Sequence, residues 1–211
     1  MNCFFYFLAA SRPTTKEESG EMLWPELSSQ ELKLRFKNEL YRLRHALGQD
    51  VIRFENDLYS FNRLLDYDYD VEKFNNSMMK AKSASKVEEK ISHLRVATSL
   101  RNGPFLQDLD ASWFWPERER LDRICIDAWI QLAGFQRQNG DLQAALQACQ
   151  EALKIDQSRE DVHCLAMQLH AERRDRLGII WQYQACREAL HSELDIDPSL
   201  ETQALYQQLT A

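Results

Sequence analysis

Residues 129–156 read WIQLAGFQRQNGDLQAALQACQEALKID, and a weaker copy of this stretch follows 34 residues later. Trp129 and Leu132 lie on a first helix, Gly140 supplies a tight turn, and Ala145 and Ala152 bring small side chains to one face of a second helix. In the copy the positions of Gly140, Ala145, Cys149 and Ala152 are taken by Arg174, Ile179, Tyr183 and Cys186. Self-similarity at such a period marks helix pairs that bury their apolar faces only by stacking on one another. Stacks of this kind present binding surfaces rather than reaction centres, so the rest of the chain must say what is bound.

The flanking sequence extends the helical reading. Asp70 predicts the cap of a helix running to about Lys82, Lys86–Arg101 forms the next, and Asn102-Gly103-Pro104 breaks it. Phe105, Leu106, Leu109, Trp113, Phe114 and Trp115 make a dense aromatic connector, of the kind that pins a short segment to helix ends. Pro116 then opens a long helix through Asn139. Beyond the second repeat, Glu193-Leu194-Asp195-Ile196-Asp197-Pro198 ends the array. Ser199–Leu209 predicts a last helix whose Leu200, Ala204, Leu205 and Leu209 cover its open end.

The first 65 residues follow different rules. Phe4–Ala10 reads as a buried helix, and Arg12-Pro13-Thr14-Thr15 breaks it. Thr15 and Glu18 then form a capping box for a second helix that Pro25 stops after Leu23-Trp24. A third helix starts at Ser28 or Ser29. Its Leu32, Phe36, Leu40, Leu43 and Leu47 line one stripe, while Leu34, Asn38, Tyr41 and His45 fall opposite, flanked by Arg35, Lys37 and Arg42. Gly48 is the expected C-cap. Val51–Phe54 and Leu58–Phe61 alternate as strands around a three-residue turn, Glu55-Asn56-Asp57. Three helices and a hairpin in this order make a winged helix-turn-helix, whose third helix enters the major groove while the wing lies along the backbone or minor groove.

Charge divides the chain at the same place. Residues 1–65 hold nine Lys/Arg and nine Asp/Glu, so the net charge of −7 resides in the remainder. On the third helix Lys33, Arg35, Lys37, Arg42 and Arg44 face only Glu31 and Glu39, an excess suited to phosphate.

Catalytic and metal chemistry find no foothold. The five cysteines are never closer than 15 residues, which leaves no CxxC pair. The five histidines are scattered, and HExxH, GxSxG and Gly-rich phosphate loops are absent. His163 and His170 sit off the face that carries Cys164, and the Glu193, Asp195, Asp197 cluster lacks a calcium loop. No catalytic residue, cofactor or metal is expected. The apolar start, Met1–Ser11, lacks the basic region of a secretory leader, and no run is long enough to span a bilayer, which gives a soluble, cytoplasmic reading.

The runs Leu23-Trp24-Pro25, Phe36-Lys37 and Leu40–Gly48 resemble the winged helix of bacterial antibiotic-regulatory activators. Asp70-Val71 with Phe74, Gly103-Pro104-Phe105-Leu106, Trp113 with Glu117-Arg118, Gly140-Asp141 with Ala144-Ala145, Glu193-Leu194, Pro198 and Leu205-Tyr206 are similar to the bacterial transcriptional activator domain that follows it. The resemblance covers about Phe4 to Leu209. Members of that family carry a β-sheet ahead of the first helix, so it implies a partial winged helix with that sheet missing.

The expected fold is therefore mainly α: a partial winged helix-turn-helix over residues 1–65 and a tetratricopeptide-like α-helical solenoid over residues 66–211. By resemblance the first part binds double-stranded promoter DNA, and the second mediates self-association or contact with RNA polymerase. Asn38, Tyr41, Arg42 and His45 are the expected groove contacts. Lys33, Arg35, Lys37 and Arg44, with Arg53 from the wing, are the expected phosphate contacts. The competing expectation is a protein-interaction module whose truncated winged helix no longer binds DNA.

Overall fold

The structure, a computed structural model, describes residues 2–47, 51–109 and 111–211. Its helices are α1 (Asn2–Ala9), α2 (Lys16–Leu23), α3 (Ser29–Leu47), α4 (Asp70–Ser83), α5 (Val87–Ser99), α6 (Trp115–Gln138), α7 (Leu142–Leu153), α8 (Glu160–Glu172), α9 (Arg176–Leu194) and α10 (Leu200–Thr210). Between α3 and α4 lie strands β1 (Ile52–Glu55) and β2 (Leu58–Phe61). The chain divides into two compact units: Met1–Asp68 with Pro104–Glu119, and Tyr69–Gly103 with Arg120–Ala211.

In the first unit the capping box forms as expected. Thr15 Oγ1 accepts from the Glu18 backbone N–H at 3.1 Å, and Glu18 Oε2 accepts from the Thr15 N–H at 2.9 Å. The hairpin differs from expectation. Glu55 pairs directly with Leu58, so the turn is the two residues Asn56 and Asp57, both left-handed at φ 52° and 61°. Positive φ at both central positions matches the right-handed twist of the flanking strands, which a three-residue loop here would not require. The expected C-cap at Gly48 lies outside the described residues.

Aromatic packing welds helices to hairpin. Phe7 and Phe36 are almost fully buried and meet edge-on at 6.2 Å, and Tyr59 of β2 closes the trio at 4.8 Å from Phe36. Burial of such side chains contributes about 1.5–3 kcal/mol each. Thr14 and Tyr59 exchange backbone hydrogen bonds at 2.9 and 2.8 Å, adding a rung that ties the α1–α2 loop to the hairpin. Arg63 donates to the Leu8 carbonyl at 2.8 Å, beyond the end of β2. The connector is pinned to the same unit. Trp113 meets Tyr6 at 5.6 Å, Phe114 is fully buried, and Arg118 donates to the carbonyls of Phe105 and Leu106 at 2.8 and 2.9 Å.

The second unit is the helical array. One core joins Ala81 of α4, Leu94 of α5, Ile126 and Leu132 of α6, Ala145, Cys149 and Ala152 of α7, and Val162, Ala166 and Leu169 of α8. The two repeat turns are superimposable in their bonding despite the Gly-to-Arg exchange. Gly140 and Arg174 are both left-handed, at φ 78° and 59°. Asp141 N–H reaches Gln136 O and Asp175 N–H reaches His170 O, both at 2.9 Å. Asp141 then caps α7 through Ala144 N–H, and Asp175 caps α9 through Gly178 N–H.

Three local expectations are corrected. Asp70 is the first residue of α4 rather than its cap, which falls on Tyr69 without a side-chain bond. Leu47 is 44% exposed, so the inward stripe of α3 ends before the last turn. On α10, Leu200 is 79% exposed and Ala204 is exposed, while Thr202 turns inward at 2%. The reason is Ser199: its backbone N–H and its hydroxyl each donate to Glu160 Oε2 at 2.8 Å, which fixes the rotation of α10 about its axis with Thr202 facing α8.

Candidate nucleic-acid interface

α3 is set by its first turn and by the side chains it buries. Ser28 donates to Glu31 Oε2 through its hydroxyl at 2.5 Å and its backbone N–H at 3.0 Å. Those two bonds, the hydroxyl's first, hold the Glu31 carboxyl below its ordinary pKa. Leu32, Phe36 and Leu40 face inward at 7, 2 and 8% exposure. At 100° per residue, Leu34, Asn38, Tyr41 and His45 then fall within roughly 60° of one another on the far side. All four are exposed, Leu34 at 63% and Tyr41 at 70%. The rings of Tyr41 and His45 stack with 7° between their planes.

Two cationic flanks border this stripe, and they are not equivalent. Arg35 and Arg42 run along one side, Lys33, Lys37 and Arg44 along the other, and all five are exposed. Glu39 lies beneath the first pair, only 7% exposed. Its Oε1 accepts from Arg42 Nη1 at 3.2 Å and lies 3.5 Å from Arg35 Nε. The Arg35 guanidinium also stands over the Trp24 ring at 5.8 Å. One buried carboxylate thus braces two guanidinium groups and halves their net charge. Lys33 and Lys37 have no ion-pair partner among the described residues. On the wing, Arg53 pairs with Glu55, and Phe54 is 51% exposed.

The structure therefore brings Lys33, Arg35, Lys37, Asn38, Tyr41, Arg42, Arg44 and His45 onto one exposed helix surface and places Arg53 on the hairpin. The sequence shows Glu39 only as one acid among bases. Its signal was its spacing, four residues after Arg35 and three before Arg42, which is that of helical ion pairs.

Cys164 and the two histidines nearest it in sequence, His163 and His170, are engaged by neighbouring groups. His163, 3% exposed, receives Gln182 Nε2 on Nδ1 at 2.6 Å and donates from Nε2 to Gln157 O at 3.0 Å. Burial lowers its pKa. Cys164 Sγ lies 3.4 Å from Thr202 Oγ1, and burial raises its thiol pKa. His170 Nδ1 meets Asp175 Oδ2 at 2.9 Å, inside the α9 cap. Among the described residues no His, Cys, Asp and Glu group is arranged to hold a metal, and no helix is long and apolar enough to cross a membrane.

A family model described as the bacterial transcriptional activator domain matches residues 69–210, two thirds of the chain. The chain belongs to that family. Its activator domain takes in α4 to α10, the helical array, and the family is one of transcriptional activators rather than of enzymes. No curated protein matches this activator-domain protein in sequence. Among solved structures it is similar to Mycobacterium tuberculosis EmbR in complex with a low affinity phosphopeptide. The TM-score is 0.77 and the identity 19%, over 98% of this chain and 57% of that one. At that identity the likeness establishes a shared fold, a winged helix followed by a helical domain. The resemblance to the antibiotic-regulatory activators thus holds at the level of domain family and fold.

Proposed function

We propose that this activator-domain protein is a DNA-binding transcriptional regulator that lays α3 in the major groove of promoter DNA. The observation that carries the reading is the exposed stripe of Leu34, Asn38, Tyr41 and His45 between two rows of cations. A recognition helix needs base-reading side chains along its centre and phosphate partners at its sides. Asn38, Tyr41 and His45 contact base edges; Arg42, expected among them, lies on the flank beside Arg35 and, with Lys33, Arg35, Lys37, Arg44 and Arg53, contacts phosphates. The helical array mediates self-association or contact with RNA polymerase, in keeping with the stacked-repeat surface of α4 to α10. The protein works in the cytoplasm, beside the chromosome.

A second reading draws on Glu39. Arg35 and Arg42 are held by that carboxylate and Arg53 by Glu55. A winged helix so neutralised would serve as an interaction module, with Leu34 and Tyr41 as apolar contacts. Footprinting on the fragment upstream of the protein's own gene separates the two. Protection that weakens in Arg42→Ala supports the regulator; no protection, and a silent Arg42→Ala, supports the module.

A further inference from the structure

We infer that α3 reads A·T pairs, with Leu34 against a thymine methyl group and Asn38 on an adjacent or next-but-one adenine. The inference rests on the DNA-binding reading above and assigns a base class to that surface. Its starting point is what the central stripe lacks. Guanine is most often recognised through O6 and N7 by an Arg or Lys fork, and none of Leu34, Asn38, Tyr41 and His45 is such a group. The nearest guanidinium groups, Arg35 and Arg42, stand roughly 80–100° round the helix from Leu34 and are anchored to Glu39. Lys33, Lys37 and Arg44 occupy the opposite flank, where phosphates pass.

What the stripe does hold fits A·T. Leu34 is a branched apolar side chain left 63% exposed in the middle of a charged helix. The one apolar group that a base pair presents in the major groove is the thymine C5 methyl. Asn38 stands one turn further on and is exposed, with no hydrogen bond from its carboxamide among the described residues. Its donor and acceptor match adenine N6 and N7 together. A helical turn advances about 5.4 Å and a base pair about 3.4 Å, so the two side chains reach pairs one or two steps apart. Tyr41 continues the line, and its stack on His45 holds the ring beside the groove floor.

The test uses the full chain. Duplexes are selected from a randomised pool, and anisotropy then compares the selected site with two analogues. Uracil for thymine deletes only the methyl, and 7-deazaadenine for adenine deletes only the N7 acceptor. Uracil at one position should weaken binding about fourfold, and that penalty should vanish in Leu34→Ala. 7-Deazaadenine nearby should weaken it at least fivefold, the low end for a bidentate contact, and that penalty should vanish in Asn38→Ala. Both residues are exposed, so neither variant threatens the fold. Salt-sensitive binding that is indifferent to both analogues at every position, or penalties that persist in the variants, overturns this inference while DNA binding stands. Failure to enrich or bind any duplex overturns the DNA-binding reading and this inference with it.

Discussion

Arg174→Gly should stabilise the protein, and Gly140→Ala should destabilise it by a similar small amount. The two residues hold the same place in successive turns, both left-handed, with matching backbone bonds and a matching Asp cap on the next helix. A Cβ built on Gly140 meets nothing within 4 Å, so packing does not enter. What remains is the cost of a side chain at positive φ, about 1–2 kcal/mol. Against it stands the smaller entropy that Ala has in the unfolded chain, about 0.5–1 kcal/mol. The difference predicts a loss of about 0.5–1 kcal/mol for Gly140→Ala and a like gain for Arg174→Gly. In a protein of this size that is roughly 1–4 °C in Tm either way. Calorimetry with urea titration reads both, and the turns are distant enough for the double variant to lie near the parent. If Arg174→Gly lowers Tm by more than about 2 °C, the Arg174 side chain contributes contacts that outweigh its strain, and the conformational reasoning is refuted.

Gly20→Ala should destabilise the first unit by about 1–3 kcal/mol despite the better helix propensity of Ala, because the new Cβ would stand 2.1 Å from Leu32 Cδ1 on α3. Promoter affinity should fall with it, and an unchanged urea midpoint would contradict the packing of α2 on α3. Glu39→Gln should keep the fold and raise low-salt DNA affinity, since the Arg35 and Arg42 flank gains one net charge; a weakened complex would mean that bracing matters more than charge. His163 titrates with a depressed pKa in the folded state, so the unfolded chain binds the extra proton. Its contribution to stability is full above the ordinary value near 6.5 and is lost as pH falls from there toward the folded pKa. His163→Gln should therefore flatten the stability profile just below pH 6.5, and a parallel decline in both proteins would refute the assignment.

Periodicity made most of this fold legible. The stripe of Leu32, Phe36 and Leu40, the Thr15 and Glu18 box and the spacing from Gly140 to Arg174 are local patterns with local causes, and the structure has them all. What escaped is non-local. The Thr14 to Tyr59 rung and the Arg63 bond to Leu8 join residues 45 and 55 positions apart, and no pattern in either segment announces the other. The buried face of α10 departs from expectation for the same reason, because the Glu160 carboxylate on α8 fixes Ser199 and so overrides the apolar pattern of Leu200 and Ala204. The expected hairpin turn is one residue too long because Glu55 is a common loop residue. Only the pairing with Leu58 shows that it belongs to the strand. At the candidate site the exposed positions were legible from the helix period. The bracing of Arg35 and Arg42 was not, because it depends on Glu39 being buried.

On the proposed reading α3 binds DNA through its flanking cations. The direct measurement is the salt dependence of anisotropy binding by the full chain to the fragment upstream of its own gene, beside a scrambled duplex. Each phosphate neutralised contributes about −0.9 to the slope of log affinity against log salt, so Lys33→Ala with Lys37→Ala should reduce the slope by about 1.8. A steep slope, preference for the upstream fragment and that reduction are the expected result. Equal binding to both duplexes with a slope near zero, unchanged in the double variant, would exclude DNA binding by α3 and leave the winged helix as an interaction module.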